Sequence, residues 1–184
     1  MKKTILLIMG RSGSGKSTLE RALVERWPDT YNKVVSGTTR QPREGEQDGV
    51  DYHFITKKQY DETIWLQTTF FHDTHYGSAL SEYATPHSFS TIVVVPGSAK
   101  EIIDGAHEYF GDEVECKIVL FCTTEELSRR HMLARGDAPE QVDARLANDT
   151  LLDDFFDSEL TADYVINDRF VDEGLTDRVH GWLA

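Results

Sequence analysis

Gly10-Arg11-Ser12-Gly13-Ser14-Gly15-Lys16-Ser17 matches the pattern G-x-x-x-x-G-K-[ST]. It lies between the apolar run Thr4–Met9, which reads as a buried strand, and Lys16–Arg26, where Leu19, Ala22 and Leu23 share one helical face. In a strand–loop–helix of this kind the glycines let successive backbone N–H groups curl around one anion. The helix start adds the positive end of its dipole. Gly10, Arg11, Ser12, Gly13, Ser14, Gly15, Lys16, Ser17 and Thr18 are therefore expected to hold the phosphates of ATP. Lys16 would reach the β- and γ-phosphates, and the Ser17 hydroxyl would ligate Mg²⁺. The pattern specifies a nucleoside triphosphate and leaves the reaction open.

Outward from this loop, short apolar runs alternate with helical patterns, which predicts an α/β fold with a central parallel sheet. Strands are expected near Lys33–Ser36, at His53–Ile55, Gln67–His72, Thr91–Val95, Glu115–Cys122 and Tyr164–Asn167. Helices are expected at Lys57–Trp65, Ser98–Phe110 and Asp172–Leu183, with a capping box at Thr123–Glu126 and Pro139 in the first turn of another. Asp153-Asp154 reads as a solvated helix face, and Phe155 and Phe156 as core.

The 184 residues carry 19 Lys+Arg against 32 Asp+Glu, a formal charge of −13. Such an excess repels nucleic acid and anionic membrane surfaces, so neither is expected as a partner. The length suits one domain. Cys116 and Cys122 fit no zinc spacing and read as packing residues of one strand face. The apolar run Ile5–Met9 is shorter than the ~7–15 residues of a secretory leader. A cytoplasmic monomer or homodimer is the expectation.

Gly37–Asp51, rich in glycine, proline and charge, reads as a long loop, and such loops are usually functional. Arg40 and Arg43, braced by Pro42, suit a second phosphate. From Ser36 to Phe54 the chain carries every fixed letter of S-x-T-T-R-x-P-R-x-G-E-x-x-G-x-x-Y-x-F. This closely resembles the guanylate kinase family. The resemblance continues at His75-Tyr76-Gly77-Ser78, at Arg130…Arg135-Gly136…Arg145 and at Val165-Ile166-Asn167-Asp168.

The resemblance implies a P-loop core (residues 1–32, 91–123 and 149–184), an inserted lobe for a nucleoside monophosphate (about 33–90) and a helical lid (about 124–148). It implies that Ser36, Arg40, Arg43, Tyr52 and Tyr76 hold the acceptor phosphate, and that Ser78 touches the base edge. Lys16, Arg130, Arg135 and Arg145 would stabilise the transferring phosphoryl group. The implied activity is ATP- and Mg²⁺-dependent phosphorylation of GMP, dGMP or a close relative.

Two positions depart from the family. Gln67 stands where the family has a glutamate that accepts from guanine N1 and N2, and Val94 falls in a segment that normally reads D-[IVL]-D. Both imply altered base reading, with His72, Asp73 and His75 as candidate substitutes and His131 standing where the lid has an arginine. Two other readings stay open: a related kinase acting on a modified deoxynucleotide or a ribose bisphosphate, and a non-catalytic module that binds phosphopeptides. The intact loop at Gly10–Ser17 weighs against the module.

Overall fold

The structure is a computed structural model that describes residues 2–71, 73–167 and 170–184; the expectations placed on His72 and Asp168 lie outside the described residues. In chain order the elements are β1 (Lys3–Gly10), α1 (Lys16–Arg26), β2 (Tyr31–Lys33), β3 (Gly37–Thr38), β4 (His53–Phe54), α2 (Lys57–Glu62), β5 (Trp65–Phe71), β6 (Thr74–Ala79) and α3 (Leu80–Tyr83). They continue with β7 (Phe89–Val93), α4 (Pro96–Phe110), β8 (Val114–Cys122), α5 (Glu125–Ala134), α6 (Pro139–Ala147), α7 (Leu151–Phe156), β9 (Tyr164–Asn167) and α8 (Glu173–Leu183).

Five strands form a sheet in the order β2-β7-β1-β8-β9, with every neighbouring pair parallel. A parallel sheet needs cover on both faces, and the alternation in β1 shows how it is supplied. Ile5, Leu7 and Met9 point into one cluster with Ala99, Ile102 and Ala106 of α4. Leu6 and Ile8 point into another with Leu19 and Leu23 of α1 and Leu175 and Val179 of α8. Each such side chain contributes about 1.5–3 kcal/mol on burial. The result is the three-layer α/β fold expected from the alternating pattern.

A second sheet, in the order β4-β3-β6-β5, is mixed: β3 pairs parallel to β4, and β6 runs antiparallel to both β3 and β5. Trp65 is its keystone. A Cβ at Gly77 would lie 2.6 Å from the Trp65 ring, and one at Gly37 would lie 2.7 Å from it, so both neighbouring strands carry glycine where the indole lies across them. Helices α5 and α6 share a small cluster of their own, Met132, Val142 and Leu146.

Several local expectations are corrected. The strand expected near Lys33–Ser36 is split: Tyr31–Lys33 joins the main sheet, while Gly37–Thr38 joins the second. Helix α2 stops at Glu62, because Trp65 is drawn into β5. The box predicted at Thr123–Glu126 reduces to Thr124 accepting from Leu127 N–H, because the third helical residue is leucine. A full capping box forms instead between Thr56 and Gln59. Phe155 is core but Phe156 is 67% exposed, because a short helix cannot turn two successive residues to the same side. No helix among the described residues is long and apolar enough to cross a membrane.

Candidate active site

The loop after β1 has the geometry its glycines predict. Gly13 and Gly15 adopt φ of 75° and 104°, a region costly for other residues. A Cβ on Gly13 would also lie 2.6 Å from the Ser128 carbonyl, so the loop runs hard against α5. The Ser14 hydroxyl is buried without a partner inside the loop. Lys16 Nζ donates to the carbonyls of Gly10 at 2.6 Å and Arg11 at 2.8 Å. Burial pushes the Lys16 ammonium down to about 8; nearby Asp149 acts in the opposite direction, and Arg135 adds to the lowering.

Asp149, which the sequence reading passed over, touches the loop directly. Its Oδ2 accepts from the Ser12 N–H at 2.5 Å. The Asn148-Asp149-Thr150 stretch between two helices was the available signal, since such residues favour helix starts. What that signal could not supply is the partner, 137 residues away.

Two hollows flank the loop. One, a cavity of about 490 Å³, is lined by Gly10, Ser12 and Lys16 from the loop, by Ser36, Tyr52, Gln67 and Tyr76 from the second sheet and its approach, and by Ile92–Val95, Arg145 and Asp149. The other, about 360 Å³, is lined by Gly13–Thr18, His131, Arg135, Phe170 and Val171. Lys16 lines both.

Of the acceptor-side residues, Ser36, Tyr52, Gln67 and Tyr76 come together in the first hollow, whereas Arg40, Arg43 and Ser78 are not among the residues lining it. Arg40 holds Glu46 through two hydrogen bonds of 2.6 and 2.7 Å and lies over the Tyr52 ring at 4.9 Å. Arg43 N–H donates to the same carboxylate at 2.7 Å. The bond from Arg40, backed by the Arg43 N–H, holds the Glu46 carboxyl down at about 2. Ser78 is fully buried opposite Gln67, its hydroxyl without a well-aligned partner although Tyr83 is its neighbour. Glu82, also unforeseen, braces this lobe by accepting from Val35 N–H at 2.9 Å and lying 3.1 Å from His53 Nε2.

In the segment expected to act as a lid, Arg135 donates to both oxygens of Asp137, and Arg145 reaches the same carboxylate at 3.2 Å. Arg130 is exposed on α5 and lines neither hollow. His131 Nδ1 lies 2.7 Å from the Gly13 carbonyl, so α5 rests on the loop after β1 at that residue. Of the substitutes considered for a missing base-reading acid, His75 and Asp73 do not line the first hollow. His75 is packed beside Tyr60 and Phe70, and Asp73 sits exposed in a turn at φ 55°.

A phosphate loop facing a second polar hollow across one lysine defines a P-loop phosphotransferase. A family model described as guanylate kinase matches residues 1–104. The guanylate kinase of Campylobacter jejuni (strain RM1221) is 31% identical over 152 residues, covering 80% of this chain and 74% of that protein. That of Aster yellows witches'-broom phytoplasma (strain AYWB) is 45% identical over 82 residues, 42% of this chain and 39% of that protein. The crystal structure of guanylate kinase from Anaplasma phagocytophilum superposes with a TM-score of 0.62 at 22% identity, covering 99% of this chain and 85% of that one, and so speaks for the fold. The chain belongs to the guanylate kinase family and is, by that membership, an enzyme of the nucleoside monophosphate kinase class.

Proposed function

We propose that this chain transfers the γ-phosphoryl group of ATP to GMP, dGMP or a closely related 6-oxopurine nucleotide. The observation that carries this reading is that Lys16 lines both hollows, so phosphates arriving from either side meet at one cation. Transfer between two phosphates needs in-line placement and positive charge more than covalent help from the protein. Lys16 supplies charge at the loop. Arg145 and Arg135, one on each hollow, are placed to exchange Asp137 for phosphate oxygens as the lid closes and water is excluded. Arg40, whose guanidinium is held by Glu46, and Arg43, whose backbone N–H reaches the same carboxylate, would supply the cations toward which the acceptor phosphate is drawn.

The residues present suit a divalent ion carried mainly by nucleotide phosphates. No cluster of three or more His, Cys, Asp or Glu among the described residues would hold one, while the Ser17 hydroxyl lies exposed in the second hollow beside Lys16. This matches Mg²⁺, which keeps much of its water and takes few protein ligands; bound there it would offset charge on the β- and γ-phosphates.

A coupled ADP-release assay over all ribo- and deoxynucleoside monophosphates with ATP and Mg²⁺ tests the proposal. Turnover is expected with GMP or dGMP, and Lys16→Ala is expected to lower it by about 10²–10³-fold. Silence with every monophosphate would refute it.

A further inference from the structure

The far wall of the first hollow carries information about the base. Gln67 is only 8% exposed yet lines the hollow. Its Nε2 donates to Thr69 Oγ1 at 2.6 Å, and in this orientation Oε1, with no donor among the described residues, is the group offered to a ligand. Ile92, Val93, Val94 and Val95 line the same hollow and add no side-chain acceptor. Its carboxylates among the described residues are Asp149 and Asp154, and Asp149 is engaged at Ser12, on the phosphate side.

One amide acceptor beside the apolar stretch Ile92–Val95 meets one donor. Guanine presents two donors side by side, the ring N1–H and the 2-amino group. Oε1 satisfies the first, while Ile92–Val95 offer no side-chain acceptor to the second, the Thr69 hydroxyl already accepts from Gln67, and Asp154 already accepts from Thr150 Oγ1 at 2.8 Å. A buried donor left unmet lowers affinity by between about fivefold and 150-fold. Hypoxanthine has the same N1–H and 6-oxo group but a C2–H in place of the amine, so it leaves no donor unmet.

Resting on the phosphotransfer reading above, we propose that the acceptor site takes hypoxanthine nucleotides, IMP and dIMP, within tenfold of guanine nucleotides, and that Gln67 sets this relaxed base reading. Steady-state kcat/KM for IMP and GMP, with ATP and Mg²⁺, tests it in the wild type and in Gln67→Glu. The expected result is a GMP-to-IMP ratio below ten in the wild type, rising at least tenfold in the variant, whose second oxygen meets the amine. A wild-type ratio above ten, or a ratio that Gln67→Glu fails to raise, overturns the proposal and leaves the kinase reading intact. If neither these nor any other monophosphate turns over, the kinase reading falls instead, and calorimetric titration with IMP and GMP still decides the base. Dissociation constants within tenfold of one another support the proposal, and a larger preference for GMP overturns it.

Discussion

Asp149 concentrates the residue-scale argument. Its carboxylate occupies the Ser12 N–H and helps keep a buried lysine charged. On the proposed function a nucleotide phosphate would need the same N–H and the same lysine, so the two anions would compete. Replacing the acid with an amide removes the competing charge while keeping the shape. Asp149→Asn is therefore expected to bind ATP about tenfold more tightly, on the scale of one charged hydrogen bond. Isothermal titration checks this, and weaker binding in the variant would mean that the acid serves the nucleotide directly.

At the scale of elements, legibility in the sequence followed how local each determinant is. The phosphate loop was readable because strand, glycines, lysine and helix are contiguous. Strand β6 was not, because Thr74–Ala79 has no apolar alternation; it is a strand because Trp65 of β5 lies across Gly77 and the backbone pairs with β3 and β5. Ser36, Tyr52, Gln67 and Tyr76, each expected at the acceptor, line the first hollow, but the pairing of Arg40 with Glu46 was not legible in the motif. The same packing predicts an effect. Gly77→Ala would set a methyl 2.6 Å from the indole and 2.7 Å from the Gln67 carbonyl, which strand pairing holds in place. Overpacking of this kind costs about 1–3 kcal/mol. Chemical denaturation followed by Trp fluorescence should report that loss, and a variant as stable as the wild type would show that Trp65 has room to move.

For the whole molecule, one buried acid sets a pH dependence. Glu20 lies in α1 at 6% exposure, and burial raises its carboxyl to about 7, with Lys33 only partly opposing. From about 4.5 upward the unfolded chain loses this proton while the folded chain keeps it, so stability falls as pH rises and levels off above 7. The full span amounts to about 3 kcal/mol. Urea titrations at pH 5 and pH 8 should show Glu20→Gln gaining on the wild type by about 2–3 kcal/mol across that interval. Equal gains at both pH values would remove Glu20 as the cause.

Glu46 on Arg40, Asp137 on Arg135 and Arg145, and Asp149 on Ser12 form one pattern: groups suited to phosphate are each already matched by a carboxylate of the chain. On the proposed function, nucleotide capture would be an ion exchange carried out within the protein. An arriving phosphate releases a tethered carboxylate in place of a free chloride. Because the displaced anion stays covalently attached, the ionic strength of the medium enters the balance only weakly, and a chain with a net charge of −13 can take up polyanions without relying on dilute salt.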